Sequence, residues 1–160
     1  MLRAPPRPRH AVGLLPPCEV RWISDDKGYG LFAKGFISQG TLLWKYSTES
    51  VREFTPQQFL RHLERLPSHQ DKIGLLRTAY GWGGKMVLPL DDSKFWNHSR
   101  NRNCITGGGT SGGDTFALCE IAAGEELLDN YLDYEHPHWL TALYAKYGID
   151  KSFTWAASSP

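Results

Sequence analysis

Cysteine is scarce in this chain of 160 residues, which has three, at Cys18, Cys104 and Cys119. Their odd number and wide spacing fit neither a disulfide framework nor a CxxC zinc pair. We therefore expect reduced thiols in an intracellular protein, where they pack as small, half-buried apolar groups.

Long hydrophobic runs are also missing. No apolar stretch approaches the roughly 18 residues that a membrane-spanning helix needs. The N-terminus lacks the charged, apolar and small-residue segments of a signal peptide. A composition of 41% hydrophobic and 12% aromatic residues is that of a globular chain and excludes a chain that is disordered over its whole length. The sequence predicts one globular domain with no membrane partner and no secretion.

Acidic residues are absent from the first 17 positions, which hold five of the ten prolines together with Arg3, Arg7 and Arg9. Proline at this density rules out a helix or a central strand, so residues 1–17 are predicted to form a basic arm. This arm is where we expect nucleic acid to bind, if the protein binds it.

Basic residues are missing from another segment. Residues 103–145 contain seven Asp or Glu and no Lys or Arg, whereas residues 1–102 contain 16 Lys or Arg and nine Asp or Glu. An acidic segment beside a site raises the encounter rate of a basic ligand. A solvated acidic face without a partner is the alternative.

Short apolar runs separated by glycine predict strands joined by tight turns over residues 18–46. Helices are predicted over residues 56–66, after Thr55-Pro56, and over residues 137–147, before Gly148. Glycines at positions 81, 83 and 84 suggest a hairpin, and residues 107–113 a flexible connector. The expected fold class is mostly β with two short helices.

Single motifs give weak indications of chemistry. The run Gly28 to Ala33 matches the dinucleotide-binding pattern GxGxxG/A, but the glycines and short apolar runs after it disfavour the helix that such a site needs. Glu125 and Glu126 are adjacent and would point to opposite faces of a strand.

Other candidate groups are similarly isolated. His136 and His138 are two potential metal ligands, too few for a site. A Cys/His hydrolase using Cys104 or Cys119 has no supporting local signature.

Three blocks taken together are more specific. Residues 27–33, 97–103 and 121–131 occur in the order and spacing of a GxG turn, an NHSxxPN block and a GEELxxxY block. In this they resemble the SET domain family, and the resemblance covers residues 18–135.

The resemblance implies a protein lysine N-methyltransferase that uses S-adenosylmethionine. It also implies a fold of small β-sheets with a pseudoknot-like C-terminal crossing. By this likeness the insert at about residues 50–90 forms one wall of the substrate groove, and residues 136–160 close the cofactor pocket, with Trp139, Phe153 or Trp155 near the adenine.

The same likeness assigns roles to individual residues. Tyr131 would be the catalytic side chain at the methyl-transfer point, and Tyr80 or Trp82 would flank the cofactor. The remaining cofactor positions are Lys27, Gly28, Tyr29, Gly30, Asn97 and His98, and the remaining candidates for channel walls are Phe95, Trp96 and Tyr134.

Three departures from the family pattern matter. Arg100 stands where many members have a zinc-binding cysteine, and residues 146–160 lack cysteine, so no zinc is expected. Arg102 replaces the usual proline. Asp129 replaces an aromatic residue whose size limits how many methyl groups are added, which leaves product multiplicity open.

The sequence thus predicts a methyltransferase that acts on a basic protein segment such as a histone tail. A catalytically silent SET module that only binds peptide is the alternative.

Overall fold

The structure is a computed structural model that describes residues 12–107 and 112–150. Within these ranges it has three α-helices and ten short strands, and the chain divides into two compact units. The first unit comprises Met1–Val51 and Pro89–Asn130, and the second Arg52–Leu88 and Tyr131–Pro160. The strands are β1 (Cys18–Ser24), β2 (Gly28–Ala33), β3 (Leu42–Trp44), β4 (Val51–Phe54), β5 (Tyr80–Trp82), β6 (Lys85–Pro89), β7 (Asn97–His98), β8 (Cys104–Thr106), β9 (Thr115–Ala117) and β10 (Leu128–Asp129).

The first unit is built from three small sheets. Strands β1 and β2 form an antiparallel hairpin, β3, β9 and β8 form a three-stranded sheet in that order, and β7 pairs in parallel with β10. Its core contains completely buried Leu31, Leu43, Ile121 and Leu127. Buried Asp91 accepts hydrogen bonds from the Gly13 and Ser93 backbones and from the Trp44 indole, all at 2.8–3.0 Å.

The second unit combines one sheet with the helices. Its strands lie in the order β4, β6, β5. The predicted hairpin is present, since β5 and β6 are joined through Gly83 and Gly84, with φ of +59° and +73°. Two successive residues with positive φ form the turn that matches strand twist, and glycine adopts it without strain. The core of this unit contains Phe54, Phe59, Leu63, Leu75, Leu76, Ala79, Met86, Leu140, Tyr144 and Ile149.

The helices are α1 (Pro56–Arg65), α2 (His69–Thr78) and α3 (His138–Lys146). The predicted α1 and α3 are present, and Thr55 caps α1 in a reciprocal capping box with Gln58. The expectation of two helices is wrong, because α2 was missed. Gly74 lowers the helix propensity of this segment and the apolar residues of α2 form only a weak stripe, although Ser68 caps its first turn.

The cysteines are free, with Cys104 buried and Cys119 exposed. No helix among the described residues is both long and apolar enough to cross a bilayer. The predicted positions Arg3, Arg7, Arg9, Phe153 and Trp155, and residues 108–111 of the glycine-rich connector, lie outside the described residues.

Candidate functional site

The first motif block forms the turn and second strand of the β1–β2 hairpin. Gly28 has a φ of +72°, in the left-handed region that favours glycine, and a Cβ there would meet nothing within 4 Å. The preceding Lys27 donates its backbone N–H to Ser24 Oγ at 3.2 Å. Its exposed ammonium has no ion-pair partner within residues 12–107 and 112–150.

Gly30 is needed for space rather than for conformation. A Cβ at this position would lie 2.5 Å from Ile23 Cδ1, 2.6 Å from Glu126 Oε1 and 3.2 Å from Asn97 Nδ2. The first two distances are shorter than a real Cβ contact. The missing side chain of Gly30 therefore lets the second and third motif blocks approach the first.

Asn97 joins all three blocks. Its Nδ2 donates to the Tyr29 carbonyl at 3.0 Å and to Glu126 Oε1 at 2.9 Å. Its strand β7 pairs with β10, so that Asn97 lies opposite Leu128. Both amide hydrogens are thus used, whereas no group in the described part of the chain donates to Asn97 Oδ1. This oxygen is an acceptor that a ligand can use.

Asn103 provides a second clamp, which joins the second block to the third. Its Nδ2 donates to the Glu126 carbonyl at 2.8 Å and to Glu125 Oε1 at 3.2 Å. Its Oδ1 accepts from the Leu128 backbone N–H at 2.8 Å. A buried amide that is satisfied on both sides fixes the path of the chain leading to Tyr131.

The ring of Tyr29 packs between two other aromatic rings. Trp22 and Phe95 approach it edge-on, with centroid distances of 5.1 and 5.7 Å. Lys94 Nζ lies 5.1 Å from the Phe95 centroid. Phe95 thus packs within the first unit against a predicted cofactor residue, and its role as a channel wall stays a prediction. His98 follows Asn97 in β7, is half-buried and lies opposite Asp129 of β10.

Asp129 replaces the expected aromatic residue and is buried, with 1% of its surface exposed. Its Oδ2 accepts from Thr106 Oγ1 at 2.7 Å, and its Oδ1 accepts from the Asn130 N–H at 2.8 Å. Thr106 Oγ1 lies 2.8 Å from Thr115 Oγ1. The carboxylate is therefore held by the Thr106 hydroxyl of β8 and the Asn130 N–H, and the Thr115 hydroxyl of β9 contacts Thr106 in turn.

The second unit contains the candidate catalytic tyrosine in an aromatic cluster. The Tyr134 centroid lies 4.5 Å from that of Tyr80, 5.9 Å from Tyr131 and 6.2 Å from Trp82. Of the two residues that the sequence left open, Tyr80 and Trp82, both contact Tyr134 and Tyr80 is closer. These four rings, Tyr80, Trp82, Tyr131 and Tyr134, are called the aromatic cluster below.

Hydrogen bonds hold the segment that contains Tyr131 and Tyr134 to the hairpin that contains Tyr80 and Trp82. Tyr131 begins a short 3₁₀ helix, Tyr131–Asp133, and its carbonyl lies 2.7 Å from His136 Nε2. Glu135 donates its N–H to the Gly81 carbonyl, and its carboxylate accepts from the Gly84 N–H, both at 2.9 Å. The segment after Tyr131 is therefore fastened to the β5–β6 hairpin.

The model of the SET domain matches residues 28–132, which is more than half of the chain. The chain belongs to the SET domain family. The match begins at the Gly28 turn and ends just beyond Tyr131. The glycine turn and the two asparagine clamps lie in the first unit, and Tyr131 lies in the second. The predicted family and fold class are confirmed.

Individual relatives agree with this assignment. The chain is 31% identical over 125 residues to the mouse (Mus musculus) histone-lysine N-methyltransferase NSD3, an alignment that covers 74% of this chain and 8% of NSD3. It is similar to a Plasmodium falciparum crystal structure of a candidate histone methyltransferase, with TM-score 0.51, 18% identity and coverage of 79% of this chain and 99% of that one. A chain of the apo ctPRC2 structure with mutations in Ezh2 matches with TM-score 0.58 and 20% identity, covering 80% of this chain and 16% of that one. The two structures share the SET fold.

Sequence reasoning missed the residues that tie the motif blocks together. It singled out Asn97 but gave no role to Asn103, and it assigned Glu126 no contact, treating it as one of a carboxylate pair and as part of the third block. The carboxylates of Glu125 and Glu126 have different partners. Glu125 accepts from Asn103 and from the Ala122 N–H at 2.9 Å, whereas Glu126 accepts from Asn97. The signal was present in the spacing of Asn97 and Asn103, which lie on either side of a loop that returns to β10.

The alternative chemistries gain no support. Burial raises the pKa of the Cys104 thiol to about 12, which disfavours the thiolate that a nucleophile requires. Within residues 12–107 and 112–150 no group of three or more His, Cys, Asp or Glu could hold a metal ion. His136 instead contacts the Tyr131 carbonyl.

Proposed function

We propose that this protein transfers methyl groups from S-adenosylmethionine to lysine side chains of a basic protein segment. The observation that carries the proposal is the hydrogen bonding of Asn97 to both the glycine turn and Glu126, which brings together residues from all three blocks of the SET family. The NSD3 relative, named a histone-lysine N-methyltransferase, supports the same activity.

The first unit fits the chemistry of the cofactor. The methionine part of S-adenosylmethionine carries an ammonium and a carboxylate, and these need an acceptor and a cation. Asn97 Oδ1 is an acceptor without a donor in the described part of the chain, and the Lys27 ammonium is an exposed cation without an ion-pair partner there. We assign cofactor binding to these two residues together with Gly28, Tyr29, Gly30 and His98.

The bound cofactor supplies a methyl group activated by a sulfonium. The protein must therefore align a lysine amine and keep it uncharged. An ordinary lysine, with a pKa near 10.4, is neutral in only about one molecule per thousand at neutral pH. Aromatic walls that exclude water lower this pKa by disfavouring the ammonium. We assign this task to the aromatic cluster, and the orientation of the amine to the Tyr131 hydroxyl.

The substrate we propose is a basic segment such as a histone tail. The charge of residues 103–145, seven acidic and no basic residues, favours a basic ligand. Asp133 and Glu135, which flank Tyr134, are exposed and acidic. The insert at residues 50–90 would provide one wall of the substrate groove.

The experiment that tests this function combines calorimetry with mass spectrometry. S-adenosylmethionine is titrated into the full chain, and core histones and a lysine peptide library are then incubated with both. Binding together with a mass gain of one or more methyl groups is expected. Peptide binding with neither cofactor binding nor mass gain would contradict the proposal and identify a silent peptide-binding module.

A further inference from the structure

A concave basic surface lies on the second unit, between strand β4 and helix α1. It has a volume of about 290 Å³ and is called the arginine groove here. Its lining residues are Arg52, Glu53, Phe54, Gln58, Arg61, His62 and Arg65. None of them belongs to the aromatic cluster or to the cofactor set assigned above.

The periodicity of α1 explains why these side chains converge. Gln58, Arg61, His62 and Arg65 are spaced by three and four residues, which places them on one face of the helix. Phe59 and Leu63 of the same helix are buried in the core of the unit. The helix therefore packs through its apolar face and presents the polar row to the groove.

The positive charge of the groove is largely uncompensated. Arg52, Arg61 and Arg65 are exposed and have no ion-pair partner within residues 12–107 and 112–150. The single carboxylate in the lining belongs to Glu53, and it pairs with Lys85 at 2.7 Å. Three guanidinium groups in a concave surface form a site for anions, because the guanidinium fork matches phosphate oxygens.

The dimensions favour a chain of phosphates over a single one. From Gln58 to Arg65 the polar row extends over seven helical steps, about 10 Å at 1.5 Å per residue. Successive phosphates of one nucleic-acid strand advance by about 3.4 Å along the axis, so that the row spans about three nucleotides. One phosphorylated side chain would leave most of the row without a partner.

The one Phe ring in the lining, Phe54, is covered by other side chains. Phe54 is buried, Arg52 lies 4.7 Å from its ring centroid, and His62 stacks on it at 5.2 Å. Stacking on aromatic rings and contacts to base edges are what make recognition depend on bases. Phe54 is thus not available for stacking on a base, which favours recognition of phosphate oxygens over recognition of bases.

We propose that the arginine groove binds the phosphate backbone of nucleic acid without sequence preference. The inference does not rest on the proposed methyl transfer. It places a nucleic-acid contact within the second unit, in addition to the one expected from the arm at residues 1–17.

Fluorescence anisotropy of a labelled DNA duplex with the full chain, over about 50 to 200 mM salt, tests this proposal. The double variant Arg61→Gln/Arg65→Gln should lower affinity roughly tenfold per arginine at low salt and should reduce the slope of log K against log salt by about 2. The loss should be the same for duplexes of different sequence.

Arg77→Gln is the matched control, because Arg77 is an exposed arginine of α2 in the same unit and lies outside the groove. Affinity for Arg65→Gln alone should fall while affinity for Arg77→Gln stays close to that of the natural chain. Melting temperatures of the variants show that the fold is retained.

Three outcomes would overturn the proposal. Unchanged DNA binding in the double variant would assign binding to another part of the chain, such as the arm. An equal loss in Arg65→Gln and Arg77→Gln would show an effect of overall charge. The third outcome is a phosphoserine peptide that binds the natural chain but not the double variant. If DNA does not displace this peptide, the groove is a phosphopeptide site instead.

Discussion

At the scale of single residues, Asn97 has a role in the fold and a proposed role in cofactor binding. Both hydrogens of its amide are used within the first unit, on the Tyr29 carbonyl and on Glu126. The same side chain therefore positions the glycine turn and leaves its oxygen for a ligand. Loss of the side chain should affect binding more than folding, since Asn97 is only half-buried.

Asn97→Ala is expected to weaken binding of S-adenosylmethionine. Loss of a hydrogen bond to a charged ligand group costs about 1.5–3 kcal/mol, a rise in Kd of roughly 10- to 150-fold. Isothermal titration calorimetry measures the effect. Asn101→Ala is the control, because this exposed asparagine lies in the loop that follows β7 and its backbone N–H, not its side chain, donates to Ser99 Oγ. Equal Kd values for the two variants would contradict the role of Asn97.

Thr106→Val tests the role of the buried carboxylate of Asp129. Valine removes the hydroxyl that donates to Asp129 Oδ2 at 2.7 Å, so the buried carboxylate loses this hydrogen bond. The free energy of unfolding should fall by about 1–3 kcal/mol, as measured by urea denaturation. The control Thr141→Val removes a local hydroxyl on α3 and should cost about 0.5 kcal/mol or less. A Thr106→Val variant as stable as the control would show that the hydroxyl is unimportant.

At the scale of elements, the β1–β2 hairpin depends on glycine for two distinct reasons. Gly28 adopts a positive φ, whereas Gly30 leaves room for Glu126 and Asn97. The sequence pattern predicted the turn. It could not show the contact with Glu126, because 95 intervening residues return to the hairpin only in the folded chain.

Gly30→Ala should destabilise the hairpin and weaken cofactor binding together. The added methyl group would overlap Ile23 and Glu126, and overpacking of this kind costs about 1–3 kcal/mol. Thermal unfolding and calorimetry measure the two effects. Gly35→Ala provides the comparison, since a Cβ at Gly35 meets nothing within 4 Å and its φ is not positive. Equal melting temperatures for the Gly30→Ala and Gly35→Ala proteins would show that Ile23 and Glu126 move to accommodate the methyl group at little cost.

Helices α1 and α2 show how far elements could be predicted. The start of α1 was predicted because Thr55 and Pro56 give a local signal that agrees with the apolar spacing of Phe59 and Leu63. In α2 the signals conflict, since Gly74 lowers helix propensity and the apolar stripe is weak. Packing of Leu75 and Leu76 in the core of the second unit stabilises α2, and packing is not visible in a local pattern.

At the scale of the whole molecule, buried ionisable groups set how the protein responds to high pH. Burial raises the pKa of Cys104 from an ordinary 9.0 to about 12 and that of Cys18 to about 11, and it also raises the pKa of Tyr144. In each case the unfolded chain ionises first. The stability that these groups contribute is complete below about pH 9 and is lost as the pH rises towards 12.

Cys104→Ala should therefore flatten the alkaline decline in stability. Between pH 8 and about pH 10.5 the buried thiol should lower the free energy of unfolding of the natural chain by about 2 kcal/mol. The variant should not show this part of the decrease. Urea denaturation at both pH values gives the difference. Cys119→Ala, at an exposed thiol, should keep the natural slope. The same slope in Cys104→Ala and Cys119→Ala would show that Cys104 ionises freely in the folded state.

The family and the motif blocks could be predicted for the whole molecule, whereas the division of the chain could not. Each of the three blocks is a continuous run of residues, and their order along the chain is specific to the family. The division separates Asn130 from Tyr131 at a single peptide bond, with no glycine or proline to mark it. It follows from contacts such as Glu135 with Gly81, which form only in the folded chain.

The most direct test of the central claim compares the natural chain with Tyr131→Phe. Each is incubated with S-adenosylmethionine and either core histones or a lysine peptide library, and products are analysed by mass spectrometry. Tyr131→Phe should reduce transfer by about 100-fold or more and leave cofactor Kd nearly unchanged, because only the hydroxyl that orients the amine is lost. Tyr147→Phe, in a tyrosine outside the aromatic cluster, should transfer normally. Methylation by Tyr131→Phe at the natural rate would contradict the claim.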